Sequence, residues 1–304
     1  MSTHTVPGYS TRELQAAAQA LAAGQFATAT AATQDETRIV VLEESRAAVV
    51  EASGATVTEP AAAPRADVAG TSGLAPLVRV RAANAGAGAS TIALALAEVA
   101  DVAGVRTRVI DAAAPAWSGL LGATVTELGA AEGWRRGRRG QAALIDRIED
   151  AVRVPSDVPS PRSADGVDLT VLDAGWSMRE LAAASTGWVA TAAAHAEVLV
   201  TRPTALALSQ TEAALRHLED QVVADQVVVV VVGAGRWSDR EFATAGRLLR
   251  RAHELEAVLF APVLPAKTLP GLGPDPLPKQ LTSPSQRLLE RITTITGPLR
   301  ANRI

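Results

Sequence analysis

The chain has 304 residues, 48% of them hydrophobic, and a formal net charge of -3. That suits one large domain with an appendage, or two domains, with a core of ordinary size. With no cysteine, disulfides, thiolate chemistry and Cys-ligated metals are excluded, and the slight acidity argues against coating nucleic acid in bulk while permitting a local basic patch.

In chain order, the first residues (MSTHTVPGYSTREL) are polar with no apolar stretch, so no secretory signal is visible. Residues 11–23 (TRELQAAAQALAA) are strong helix formers. Residues 38–51 (RIVVLEESRAAVVE) suit a strand or small hairpin, and 52–75 are small, polar and punctuated by Pro and Gly, as in a linker. The expectation is an N-terminal appendage over 1–51, a linker over 52–75 and one domain over 76–304. From residue 77, aliphatic runs at 77–83, 106–111, 168–173, 197–201, 227–232 and 257–263 alternate with helical segments near 89–103, 177–192, 206–219, 239–253 and 284–296. Strands buried on both faces and alternating with helices imply βαβ units, hence a doubly wound, mostly parallel α/β sheet. Ligands on such sheets bind at the carboxyl ends of the strands. The longest aliphatic run, 227-VVVVVV-232, is far short of a membrane span. A soluble cytoplasmic protein with no stable membrane insertion is expected.

The first strand-to-helix turn lies in 81-RAANAGAGASTIALALAEV-99. Glycines at Gly86 and Gly88 let successive amides converge, and the helix N-terminus adds its dipole, which together make an anion nest that needs no side chain. The pattern G-x-x-x-x-G-K-[ST] carries a lysine that reaches the phosphates and a hydroxyl that ligates Mg²⁺. Here the lysine position is Ala89, the first glycine position is Ala83, and Ser90 supplies the hydroxyl. Loss of one charged hydrogen bond costs about 1.5–3 kcal/mol of binding. Loss of a donor that stabilises transition-state charge costs about 10²–10³ in rate. Two other readings stay open: a dinucleotide fingerprint using Gly86, Gly88 and the acid Asp111, although its third glycine is Thr91, and a tight glycine turn with no ligand.

The segment from about 77 to 297 resembles the ParA/MinD-type deviant Walker ATPases of the SIMIBI class of P-loop proteins. Gly86, Gly88, Ser90 and Thr91 match that family's loop, whose signature lysine falls on Asn84 and whose loop lysine falls on Ala89. In 108-RVIDAAAPAWSGLLG-122, Asp111 matches the family's strand-end aspartate, and the aspartate that positions attacking water falls on Ala113. In 168-DLTVLDAGWS-177, Asp173 matches the acid that holds Mg²⁺ through water, and 197-EVLVTRPTALALSQTEAALRHLE-219 resembles the following strand-turn-helix. The resemblance implies a P-loop domain with ATP and Mg²⁺ held by Gly86, Ala87, Gly88, Ala89, Ser90, Thr91, Asp111 and Asp173, with Ser90 and Asp173 toward the metal. Both lysines and the water-positioning acid are absent together, which points to a pseudo-ATPase and leaves "no nucleotide" as an equal alternative. The Ala/Arg/Val bias is that of a high-GC bacterial genome, and the lysine-less loop resembles that of actinobacterial MinD-like proteins.

A substitute cation has few sources, because the only lysines are Lys267 and Lys279 in the Pro-rich 261–285 segment. Arg79 and Arg81 lie inside the first strand. Arg202, just after the 197–201 run, points to the ligand edge and suits phosphate oxygens. The densest basic cluster, 133-GWRRGRRG-140, places Arg135, Arg136, Arg138 and Arg139 beside Trp134, as a DNA or acidic-partner contact with aromatic stacking or as a solvated hairpin or loop. Trp117, Trp176 and Trp237 each follow a strand end and are expected near one rim. The four histidines show no metal-ligand spacing. The helix near 284–296 packs its Leu and Ile positions on the sheet. The functional expectation is a non-catalytic, partner-binding or assembly component that binds nucleotide weakly or not at all. The alternatives are a slow partition or positioning ATPase with a nucleotide-dependent homodimer, and a DNA-binding adaptor.

Overall fold

A computed structural model of the chain describes residues 75–184, 186–264 and 271–299. The expected helix at 11–23, the strand at 38–51, the linker before residue 75 and Lys267 lie outside the described residues.

The strands expected from aliphatic runs are β1 (Leu77–Ala82), β2 (Thr107–Asp111), β6 (Leu169–Asp173), β7 (Ala196–Thr201), β8 (Val227–Val232) and β9 (Val258–Ala261). Between β2 and β6 come three further strands: β3 (Thr126–Ala131), β4 (Trp134–Arg139) and β5 (Ala143–Ile148). Together they form one nine-stranded sheet in the order β3-β4-β5-β2-β6-β1-β7-β8-β9. Every neighbouring pair is parallel except β3–β4 and β4–β5, so β4 alone runs against the rest.

Period-two alternation sends each strand's side chains to two layers. Val78, Val80, Val109, Val171, Val198, Val200, Val228 and Val230 face α1 (Ala89–Val102) and the last helix, α8 (Thr282–Thr296). That helix seats Leu288 and Ile292 in the core, as its amphipathic spacing requires. On the opposite face Leu77, Ile110 and Leu172 pack with Leu181 of α2 (Met178–Ala183) and with Trp188 and Val189 of α3 (Trp188–Thr191). Farther along that face, Leu199, Val227, Val229 and Val231 meet α4 (Ala205–Arg216), α5 (Glu219–Val223) and α7 (Arg247–Glu254). The short α6 (Asp239–Ala243) begins with a capping box between Ser238 and Glu241. Where one continuous helix was expected at 177–192, the chain forms α2 and α3, with Gly187 at the N-cap of α3. No helix among the described residues is long and apolar enough to cross a membrane.

The 133–140 cluster is corrected by this topology. It is strand β4, joined to β3 as a hairpin and paired antiparallel with β5, and three of its four arginines are taken up by neighbouring acids. Asp146 of β5 receives Arg136 Nε at 2.6 Å and Arg108 Nε of β2 at 2.6 Å, and Asp146 and Arg108 are fully buried. Arg139 is buried and spans to Glu98 of α1 at 2.8 Å and to the carbonyls of Ala123 and Gly273, both at 2.6 Å. Arg135 forms an exposed pair with Glu149 at 2.8 Å. Trp134 is fully buried, its Nε1 donating to the Ser160 carbonyl at 2.8 Å, so it has no face to stack on a base. Arg138 is the one exposed member of the cluster with no ion pair among the described residues.

Removing one side of a buried ion pair leaves an uncompensated charge. Asp146→Ala is therefore expected to lower unfolding free energy by about 3–5 kcal/mol in urea titrations, and Arg135→Ala, at an exposed pair, by less than about 1 kcal/mol. Equal effects of the two substitutions would contradict this assignment.

Candidate functional site

The order of strands sets the site. From β1 the chain crosses to β2 on one side, and β7 lies against β1 on the other, so the switch in winding direction falls beside β1, where a crevice opens at the carboxyl edge. The turn after β1 forms the floor of that crevice. Gly86 (φ +68°) and Gly88 (φ +100°) adopt the left-handed backbone that side chains disfavour. A Cβ on either would meet no protein atom within 4 Å, so these glycines are there for backbone shape and leave open space beside them. Gly88 is the N-cap of α1 and supplies no side-chain cap, so the free amides of the first turn face outward.

Three consecutive residues at the end of β7 hold the turn. The Ala83 amide donates to the Val200 carbonyl at 2.8 Å. Asn84 Nδ2 donates to Thr201 Oγ1 at 3.0 Å, and Thr201 also receives the Thr211 hydroxyl at 2.7 Å. Arg202 donates to the Gly86 carbonyl from Nε at 3.2 Å and from Nη2 at 2.8 Å. The turn is thereby fixed in shape by the neighbouring strand.

Around it is a cleft of about 1120 Å³, whose lining includes the whole 82–92 segment, Ala113, Trp117, Asp173, Trp176 and Arg202. The structure thus brings Gly86, Ala87, Gly88, Ala89, Ser90, Thr91, Asp173 and Arg202 to one cavity. Asp111 is next to Asp173 in the β2–β6 register but is not on the lining. Its carboxylate is taken up by the Ser118 hydroxyl and by the Ala113 amide at 3.1 Å. Asp173 is 1% exposed, and its Oδ2 has no hydrogen-bond partner, although the Ser90 hydroxyl reaches the carboxylate. An orphaned, buried carboxylate oxygen beside a serine hydroxyl at a helix N-terminus has the donor chemistry that suits Mg²⁺ on a phosphate.

Both carboxyls titrate high. Burial raises Asp111 to about 6, against the lowering effects of Ser118, the Ala113 amide and Arg147. Burial first, and the neighbouring Asp111 charge second, raise Asp173 to about 7. Among the described residues, the cations lining the cleft are Arg202 and Arg153.

Of the three tryptophans expected at one rim, two are there. Trp117 is 83% exposed at the mouth, and Trp176 donates to the Ala112 carbonyl at 2.7 Å. Trp237 is corrected: it is buried among Phe242, His253 and Phe260 on the far face. Gly175 follows Asp173 so closely against Ala113 that a Cβ there would lie 2.5 Å from the Ala113 Cα, which joins the ends of β6 and β2.

Compared with known proteins, the chain matches no family model and no curated protein. It is similar in structure to MinD in complex with Mg-ADP from Pyrococcus horikoshii (15% identity, TM-score 0.49, 74% of this chain and 98% of that one). It is also similar to the cell division ATPase MinD of Pyrococcus furiosus (19% identity, TM-score 0.47, covering 73% and 99%) and to a ParA family ATPase from Chlorobium tepidum (12% identity, TM-score 0.45, covering 71% and 99%). At these identities and scores the likeness says nothing of activity, ligand or partner.

Arg153 and Ser118 were not found from the sequence. Arg153 lies in no motif and Ser118 is a non-signature position of the 108–122 segment; both are brought in by the segments after β5 and β2. Lys279 lies in a short 3-10 turn and does not line the cleft.

Since both acids hold their protons to higher pH in the native state than in the unfolded chain, their contribution to stability is full below about pH 4 and is lost as pH rises through about 6 to 7. Asp173→Asn removes the larger part of that loss. Differential scanning calorimetry is expected to show the variant melting several degrees above wild type at pH 8, by roughly 4 °C or more, with the gap narrowing toward pH 4. A variant that melts lower at pH 8 would contradict the assignment.

Proposed function

We propose that the chain is a degenerate P-loop protein of ParA/MinD type, a pseudo-ATPase that takes a nucleoside polyphosphate weakly at the 86–91 turn, does not cleave it, and serves as a partner-binding or assembly component. The observation that carries this reading is the open glycine turn on a large cleft with an orphaned Asp173 oxygen beside it, on a wall with no lysine among the described residues. Backbone amides at a helix start attract phosphate without any side chain. Transition-state charge, in contrast, needs a fixed donor aimed at it. Ala89 stands where that donor would be, and Ala113 stands where the resemblance places the acid that orients water. Asp173 and Ser90 are the residues that would hold Mg²⁺, which supplies charge neutralisation on the phosphates when bound.

Arg202 has a part in this reading. Its guanidinium is already engaged by the Gly86 carbonyl, so it braces the turn and adds positive potential at its edge, rather than standing in for a lysine among the phosphates. The arginines of β4 give little support to the DNA-adaptor alternative, since three of the four pair with Glu149, Asp146 and Glu98 and only Arg138 is left exposed without an ion pair among the described residues.

The two cleft tryptophans make binding readable by fluorescence. In titrations with Mg-ATP, Ala89→Lys is expected to bind at least tenfold more tightly than wild type, as one charged hydrogen bond of about 1.5–3 kcal/mol implies. Phosphate release by wild type should stay at the buffer background. Unchanged affinity in Ala89→Lys would favour a bare turn with no ligand, and robust turnover abolished by Asp173→Ala would make the protein a working ATPase.

A further inference from the structure

On the opposite face of the sheet from α1, a groove of about 570 Å³ runs over β1 and β7. One wall is formed by α2, α3 and the segment after it, the other by the end of α4 and by α5, and Ile295 and Thr296 at the end of α8 close one end. Its floor carries charge where a strand interior is ordinarily aliphatic. Arg79 and Arg81 of β1 both lean on Glu197 of β7, and the three are 4%, 7% and 2% exposed. Two guanidinium groups thus share one carboxylate, and no other acid lines the groove among the described residues.

The two arginines are not equivalent. Arg79 is saturated: Nε and Nη2 reach Glu197 Oε1 at 3.0 and 2.7 Å, Nη1 reaches the Val189 and Ala190 carbonyls at 2.8 and 3.0 Å, and Nη2 also reaches the Ala192 carbonyl at 2.8 Å. Its work is to hold α3 on the sheet. Arg81 uses only its side edge, with Nε at 3.0 Å from Glu197 Oε2 and Nη2 at 3.3 Å from Oε1. No hydrogen bond reaches its Nη1 from any described residue, so its end edge, the Nη1–Nη2 fork, faces the groove it lines. Burial holds the Arg81 guanidinium below its usual pKa, with Glu197 pulling it back up, as expected of a charge with too little compensation.

The rest of the lining is mostly apolar, with a few polar side chains set among it. His195 Nδ1 accepts the Leu77 amide at 3.1 Å, which puts the proton of the neutral ring on Nε2. His217, Gln221 and Gln226 add further polar ends. We propose that this groove binds a small organic carboxylate, received in a planar two-point contact by the free edge of Arg81, with a second polar group of the ligand met by the histidine and glutamine side chains. A carboxylate matches the guanidinium fork in plane and spacing, and the volume exceeds what a lone inorganic ion fills. Nothing in this assignment depends on the glycine turn, which belongs to a separate cavity.

The test is calorimetric titration of the full chain with succinate, with inorganic phosphate as the second probe. Succinate is expected to bind, with affinity at least tenfold lower in Arg81→Lys, which keeps the charge but loses the fork. Binding is expected to be unchanged in Arg202→Ala, at the other cavity. Since Arg81 substitutions leave Glu197 short of a partner and can unsettle the fold, a second measurement uses the wild type. Modification of Arg81 by phenylglyoxal, followed by peptide mass spectrometry, should be slowed by succinate. The proposal is overturned by no succinate binding at 10 mM (about the weakest useful affinity, near -2.7 kcal/mol), by binding of phosphate but not succinate, by loss of binding in Arg202→Ala, or by Arg81 labelling that succinate leaves unchanged.

Discussion

The glycine turn after β1 keeps its shape because β7 holds it. Three successive residues, Val200, Thr201 and Arg202, bond to Ala83, Asn84 and Gly86 in turn. In a loop whose shape relied on a lysine wrapped around phosphates, losing that lysine would let the backbone relax. Here the contacts run from strand end to loop, so the protein's own hydrogen bonds set the shape of the turn. Asn84 is drawn inward to Thr201 and does not extend outward. The same bonds that preserve the cradle therefore remove a residue that would reach beyond it.

Charge is distributed across the sheet in a way that follows from this. The carboxyl edge holds two buried acids, Asp111 and Asp173; burial raises both, and the Asp111 charge adds to the rise at Asp173. The interior holds guanidinium groups clustered on single carboxylates, Arg79 and Arg81 on Glu197, and Arg108 and Arg136 on Asp146. Burying such groups is tolerable only where every charge has a partner. Arg108, Arg136 and Asp146 bind β2, β4 and β5 together and explain how a strand as basic as β4 joins a sheet. Among the described residues the cleft wall carries two acids, Asp173 and Glu180, and two arginines, Arg153 and Arg202.

Much of the fold was legible in the sequence because the six runs are rich in aliphatic residues and five of them are buried almost throughout. The three strands from Thr126 to Ile148 were not. In β3 every residue is exposed, in β4 four of the six residues are arginine, and their strand character comes from pairing with acids distant in sequence. Trp134 looked like a stacking platform because nothing local shows that residues 158–160 close over it. At the site, the turn, Ser90, Asp173 and Arg202 were readable from spacing after strand ends, as were Trp117 and Trp176. The same rule misplaced Trp237, since the chain after β8 turns to the far face before α6. Arg153 and the groove under Arg81 carry no motif, and only the packing of distant segments brings them into view.

The most direct test of the central claim is amide hydrogen exchange of residues 86–91 in millimolar Mg-ATP, with phosphate release followed in the same sample. Slowed exchange confined to that turn, with release no faster than in buffer, is the predicted result. Exchange unchanged by nucleotide, or phosphate release that scales with protein concentration, would contradict it.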